Sequence, residues 1–218
     1  MEFTKTLYMY IIDKSTYIYY YLYVDLLNMN NKFRQGYYSG AKLRQMGFNS
    51  SQVNKFANDG VLFKVKHGLY KTSDINLNHQ SFVDIATAYP KAIITGLSAL
   101  AYYNLTTYIP EKVSMALPRG YNAPKIKYPP IETYYVSPKI FEADVNEVKD
   151  GKYKFRIYSM ERTVCDAFRN RNKIGIDIAK EALTEYIRRK DKNIDKLYKT
   201  AVTCRIYSVM QPWMMAII

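Results

Sequence analysis

Apolar positions recur at helical spacing twice, and then at strand spacing, over residues 39–71: SGAKLRQMGFNSSQVNKFANDGVLFKVKHGLYK. Leu43 and Met46 form a short stripe that Gly47 ends, with Ser39 placed to cap it. Val53, Phe56 and Ala57 share one face of a second helix, which Ser50 is expected to cap and Gly60 to stop. Ser51, Asn54, Lys55 and Asn58 share the opposite face, with Gln52 at its flank. Residues 62–65 and 68–70 then read as two short strands around a Lys66-His67-Gly68 turn. Helix, tight turn, helix and basic hairpin is the order of a winged helix-turn-helix. In that fold the second helix enters the DNA major groove and the wing touches the backbone beside it.

Beyond this stretch the period changes repeatedly. Residues 72–78 are polar and read as a linker. Residues 81–89 look helical, with Phe82, Ile85 and Ala86 on one face and Pro90 as the stop. Residues 92–94 are a short buried strand, and Thr95-Gly96 starts a helix over 97–103 that Asn104 closes. Residues 112–117 alternate, placing Val113, Met115 and Leu117 on one side of a half-buried strand. Pro118-Arg119-Gly120 turns the chain into a loop over 121–130. Strands are expected at 131–136 and 153–158, separated by an irregular segment over 141–151.

The last third is helical. Ser159 caps 160–170, and Asp177 starts 178–189 with Ile178, Ala182, Tyr186 and Ala179, Leu183, Ile187 in rows. Asn193 caps 194–203 with Ile194, Leu197, Tyr198 and Ala201 inward, and 206–217 is an apolar helix bent or restarted at Pro212. The fold class is α+β: a winged helix-turn-helix over 29–72, then a mixed α/β domain over 79–218 with a small sheet and C-terminal helices. Residues 1–28 are either an N-terminal extension or the domain's first helix, near 17–33, with Val24, Leu27 and Phe33 packing on Leu43 and Phe56.

Charge sharpens the picture. The 218 residues carry a net +13, and 48% hydrophobic composition supports real cores. Residues 29–71 hold eight cations (Lys32, Arg34, Lys42, Arg44, Lys55, Lys64, Lys66, Lys71) against Asp59 alone, a balance of +7; the other 175 residues hold the remaining +6. Positive charge concentrated on a small module suits counterion release from phosphates. An amide- and hydroxyl-rich helix face suits base edges better than a Glu/Lys face does. The expected contacts to double-stranded DNA are therefore Lys42, Arg44, Ser50, Ser51, Gln52, Asn54, Lys55, Asn58, Lys64, Lys66 and His67. The competing reading is a solvated structural helix pair; the charge balance favours DNA.

Other chemistry finds little support. Two cysteines, Cys165 and Cys204, make neither a disulfide framework nor a zinc spacing and fit a reducing cytoplasm. Two histidines make a His-based metal site improbable. The tyrosine-rich run 15–24 has ten uncharged residues, where a membrane span needs about 20. No nucleophile elbow, phosphate loop or zinc-protease motif is present, and Asp144, Glu147, Lys152 and Lys154 are the only nuclease-like set. No catalysis and no cofactor are expected. The densest charge beside apolar residues is YSMERTVCDAFR, 158–169, where Arg162 pairs with Asp166 at i, i+4 and Asp166 with Arg169 at i, i+3. Val164 and Phe168 bury the opposite side. It reads as a buried ion-pair network in preference to a phosphate site.

From Gly36 onward the pattern resembles the AbiEi family, antitoxins and transcriptional regulators of type IV toxin–antitoxin (abortive infection) systems. The matching residues are Gly60-Val61-Leu62 with Gly68-Leu69-Tyr70, then YPKAII (89–94), Ser98-Ala99-Leu100, Asn104-Leu105-Thr106, Pro110 and ALPRG (116–120). They continue with Tyr158-Ser159, Glu161-Arg162-Thr163, Asp166, Arg169, Glu181-Ala182-Leu183 and Tyr186. The resemblance implies a winged helix that represses its own operon at inverted repeats, where two copies would meet on the DNA. It also implies a C-terminal domain that opposes a nucleotidyltransferase-like toxin, AbiEii, without needing a stable complex. Antitoxin-domain candidates that match are Arg119, Glu161, Arg162, Thr163, Asp166 and Arg169. The alternative is a stand-alone winged-helix regulator with a ligand-binding or dimerisation domain.

Overall fold

Ser39 ends a short strand, β1 (Tyr37–Ser39), and its hydroxyl accepts from the Lys42 N–H at 3.1 Å to start α1 (Gly40–Gln45). In the computed structural model, which describes residues 33–73, 75–122, 126 and 128–217, the chain divides into two units between Ile75 and Asn76. The helix expected near 17–33 falls almost wholly outside the described residues. Its last residue, Phe33, is buried, with its ring 5.4 Å from that of Phe56.

In the first unit α1 is followed by α2 (Ser50–Asn58) and an antiparallel hairpin, β2 (Leu62–Lys66) and β3 (Leu69–Thr72). β1 pairs with β3, giving a three-stranded sheet in the order β1-β3-β2. Lys66 belongs to the strand, so the turn is shorter than expected: His67-Gly68, with Gly68 at φ +71, where L residues are strained. Thr72 locks the sheet edge: its hydroxyl accepts from the Gly36 N–H, and its own N–H donates to the Gly36 carbonyl, both at 3.1 Å. Phe33, Leu43, Val53, Phe56, Val61, Leu62 and Tyr70 form the core.

Ser50 is not the cap of α2. Asn49 is: its side chain accepts from the Gln52 N–H while the Gln52 side chain accepts from the Asn49 N–H, both at 2.9 Å. This reciprocal box satisfies two orphan donors, which a serine at the first helical position cannot do.

The second unit is a mixed sheet with helices. Its elements are α3 (Gln80–Ala88), β4 (Ile93–Ile94), α4 (Gly96–Tyr102), β5 (Val113–Pro118), β6 (Ile131–Val136), α5 (Pro138–Phe141), β7 (Val145–Asp150) and β8 (Tyr153–Tyr158). Then come α6 (Met160–Arg169), α7 (Arg171–Ile174), α8 (Ile176–Arg188), α9 (Ile194–Thr203) and α10 (Tyr207–Ile217). The strand order is β6-β5-β4-β8-β7. β4–β8 and β5–β6 are parallel; β4–β5 and β7–β8 are antiparallel. The protein is thus α+β, with ten helices among the described residues. None of them is long and apolar enough to cross a membrane.

Several local expectations are corrected. Segment 141–151 is not irregular: its second half is β7, paired along its length with β8. β5 is not half-buried, because Ser114 and Ala116 are as enclosed as Val113, Met115 and Leu117. Small residues let α4 approach this strand; a Cβ on Gly96 would lie 3.3 Å from the Ser114 Cβ. α3 buries Val83, Asp84, Ile85 and Ala88, while Phe82 and Ala86 are only half-buried. Tyr198 on α9 faces outward at 48% exposure. Pro212 does not restart α10, which runs through it.

The cap assignment is testable. Asn49→Ala should cost about 1 kcal/mol of the first unit's stability in a urea titration, and Ser50→Ala close to nothing. The reverse ranking would restore Ser50 as the cap.

Candidate nucleic-acid interface and the buried ion network

In the first unit, Val53 and Phe56 turn α2 toward the core and leave Ser50, Ser51, Gln52, Asn54, Lys55 and Asn58 exposed. Gln52 differs from the others, because its side-chain oxygen is committed to the cap. Its amide nitrogen keeps both donors for a ligand, while its oxygen is held in the cap geometry. Lys42 and Arg44 are exposed on α1. The start of α1 is tied to the hairpin tip by the Gly40 N–H, which donates to the Gly68 carbonyl at 2.7 Å. On the hairpin Lys64 and His67 are exposed and Lys66 is half-buried. A register shift between Lys64 and Lys66 accompanies burial of Val65 and leaves Phe63 and Lys64 both on the surface. One shared core thus presents an amide- and hydroxyl-bearing helix face and a basic hairpin.

In the second unit, the 158–169 segment is more enclosed than helical period suggests. Every residue of α6 from Glu161 to Phe168 is buried, not only the Val164 and Phe168 side. The Ser159 hydroxyl accepts from the Arg162 N–H at 3.3 Å and starts the helix. Arg162 is fully buried: Nε donates to Asp166 Oδ2 at 2.9 Å, Nη1 donates to the Ile140 carbonyl at 3.1 Å, and the guanidinium lies 4.6 Å from the Tyr158 ring centre. Its Nη2 has no hydrogen-bond partner among the described residues. Arg169 Nε stands 3.7 Å from Asp166 Oδ1, and its Nη2 donates to the Cys204 carbonyl. Burial pushes the Asp166 carboxyl up against the pull of the two guanidiniums.

Glu161 makes the second half of the network. Its Oε2 meets Lys196 Nζ at 2.8 Å and its Oε1 lies 3.1 Å from the Tyr186 hydroxyl. That hydroxyl also sits 3.0 Å from the Asn193 carbonyl and accepts from the Asn193 N–H at 2.8 Å. Burial works to raise the Glu161 carboxyl, but Lys196 and hydrogen bonds from the backbone and Ser159 hold it below its ordinary value. Among the described residues Thr163 Oγ1 reaches the Tyr158 carbonyl, at 3.4 Å. Arg119 does not join: it is exposed in the turn after β5, where its N–H donates to the Val136 carbonyl.

The sequence singled out Glu161, Arg162, Asp166 and Arg169 but missed Tyr186, Asn193 and Lys196 as their partners. Tyr186 was legible as a core position in an i, i+4 row and as a residue matching the family pattern, not as a partner of Glu161. The nuclease-like set does not converge. Glu147 pairs with Lys154 on the surface at 2.6 Å, while Asp144 accepts from Thr200 at 3.3 Å. Among the described residues no group of three or more His, Cys, Asp or Glu side chains could hold a metal ion. No protein-family model and no curated protein matches this chain.

Two outcomes follow from the network. Arg162→Ala or Asp166→Ala strands a buried charge and should cost about 3–5 kcal/mol, read as an earlier urea midpoint for the second unit. Glu161 is an acid whose folded pKa is lowered, so it contributes stability above its ordinary value of 4.5 and loses it as pH falls toward the folded value. Glu161→Gln should therefore flatten the acid side of the stability–pH curve below about pH 4.5. An unchanged acid limb would mean that the Lys196 contact contributes nothing.

Proposed function

We propose that the first unit is a winged helix-turn-helix that binds double-stranded DNA, with α2 as the reading helix and the β2–β3 hairpin as the wing. The observation that carries this reading is the outward face of α2: Ser51, Asn54, Lys55 and Asn58 are exposed side by side in a stretch with one acid among eight cations. Hydroxyls and amides can pair with base edges, and cations supply the sequence-independent attraction. The family resemblance extends the proposal. The protein acts as an AbiEi-type antitoxin that represses its own operon at inverted repeats, and the second unit opposes a nucleotidyltransferase-like toxin.

In this reading each side chain has a distinct task. Asn54 and Asn58 stand one helical turn apart and can each pair with an adenine through two hydrogen bonds. Lys42, Arg44 and Lys64 meet phosphates, which fix position but carry no sequence. Arg162 and Asp166 stay structural, holding α6 in place so that the second unit presents a constant surface. Loss of toxin neutralisation by Arg162→Ala with an unchanged melting temperature would instead make that pair functional.

The decisive measurement is one titration series on the protein's own promoter and on random duplex. Asn54→Ala and Asn58→Ala should each weaken promoter binding by about 1–3 kcal/mol while leaving random-duplex binding nearly intact. Lys64→Ala should weaken both alike and reduce the log–log salt slope by about one. Equal loss on both DNAs from the Asn variants would remove α2 as the reader, and a wild-type salt slope near zero would remove DNA binding altogether.

A further inference from the structure

The second unit contains an open cleft of about 700 Å³ that neither the DNA reading nor the ion network uses. That volume is in the range of small-ligand sites, about 300–1,000 Å³. One wall is aromatic. His79 stacks on Phe82 with ring centres 5.6 Å apart and planes 12° from parallel, and Tyr102 meets His79 edge-on at 5.0 Å. Phe155, itself buried, backs all three. The wall is held in place: the Asp150 carboxylate accepts from the Asn78 and His79 N–H groups at 3.3 and 2.7 Å and pins the start of α3. Tyr128 stands at the rim, 63% exposed.

The polar groups of the cleft are placed for a ligand with hydrogen-bonding edges. The Ser98 hydroxyl is spent within the wall, donating to the Lys112 carbonyl and accepting from the Ser114 N–H. Asn104 and Lys112 also line the cleft, and both are exposed; the Lys112 charge acts in addition on the Glu132 carboxylate, whose pKa it helps to lower. Glu111 lies beside Lys112 and can accept from an amino or hydroxyl donor but not from an anion. Residues 76–218 hold 22 Lys and Arg against 14 Asp and Glu, a balance of +8, so a negatively charged molecule is drawn to this unit.

We propose that this cleft binds an unpaired nucleotide, its base stacked against the Phe82–Tyr102 wall and its phosphate met by Lys112. Aromatic faces accept any base, and cations beside them track the phosphate; this is how proteins hold nucleotides that are free of a duplex. The same chemistry has two sources, a free mononucleotide or an unpaired nucleotide within a single strand. A proline-rich peptide, which also docks on aromatic grooves, carries no phosphate for Lys112 to meet.

Calorimetric titration of the full chain tests it, with adenosine monophosphate, adenosine, a hexa-adenylate RNA strand and a proline-rich peptide as probes. Saturable binding is expected at one site per chain, with the phosphate-free nucleoside weaker. Phe82→Leu keeps an apolar side chain but removes a stacking face, and it should weaken binding about tenfold or more. Lys112→Gln, on the surface and outside the core, should abolish the preference for the monophosphate over the nucleoside. Binding by the strand alone identifies the single-strand source, and equal binding by the mononucleotide identifies the free one. Overturning results are no saturable binding of any nucleotide at millimolar concentration, wild-type binding by both variants, or capture of the peptide in place of the nucleotides. Promoter-duplex affinity should stay unchanged in both variants, so failure here leaves the winged-helix reading standing.

Discussion

A guanidinium taken wholly out of water must find its partners inside the protein, and Arg162 sets that demand at the centre of the second unit. α6 is enclosed because α4, α7, α8, α9 and α10 all pack against it. A helix in that position usually carries apolar residues on every side. Here it carries Glu161, Arg162, Asp166 and Arg169 instead; Asp166 meets both guanidiniums within the helix, and the other contacts reach neighbouring elements. Asp166 is on the same helix, the Ile140 carbonyl belongs to α5, Tyr158 ends β8, and the Cys204 carbonyl follows α9. Lys196 on α9 and Tyr186 on α8 complete the set through Glu161. A rotation of α6 by one residue would carry the Arg162–Asp166 pair along with the helix but break the bonds to Ile140, Cys204, Lys196 and Tyr186 at once. Apolar packing alone would tolerate such a shift far better, because dispersion has no direction. The network therefore specifies register more than it adds stability, since the cost of dehydrating the ions offsets most of their attraction.

The sheet depends on that register. β8 leads directly into α6, and β8 is the strand that pairs with two-residue β4 on one side and β7 on the other. β4 is too short to fix its own position; its two isoleucines are held by β5 and β8 together. At the outer edge β7 places Lys149 opposite Lys154, two like charges that make an edge strand a poor template for another chain.

Where the sequence was legible, a local signal and the tertiary environment agreed. Ser39, Ser159 and Asn193 were readable as caps, and each side chain accepts from the expected N–H. The i, i+4 rows of α8 put Ala179, Ala182, Leu183 and Tyr186 inside. Where it misled, the environment overrode the local pattern. β7 spaces Val145 and Val148 three apart, so period-2 reading missed it; it is a strand because β8 pairs with it. β5 read as one-sided because Ser114 and Ala116 look neutral, yet small residues are what a strand needs when a helix presses close on its second face. Asn49 and Ser50 are both good cap residues, and only the reciprocal bond with Gln52 decides between them. The ion pairs within α6 were visible from spacing, whereas Lys196 and Tyr186 lie too far along the chain for any periodic argument to join them to Glu161.

The same residue types thus do opposite work in the two units, and local charge balance explains why. In the second unit acids are frequent enough to bind many cations at home: Arg162 and Arg169 with Asp166, Lys196 with Glu161, Lys173 with Glu132, Arg156 with Glu142. Residues 29–71 contain one acid for eight cations, so pairing within the segment cannot neutralise them. Like charges held on one small module repel one another, which is a standing cost to its stability. A polyanion that binds the folded module removes that repulsion, and the relief adds to the counterion release that accompanies each phosphate contact. In the proposed function, the charge that makes the isolated unit less stable is therefore the charge that would favour its complex with DNA, and the amide-bearing face of α2 would choose among duplexes by sequence.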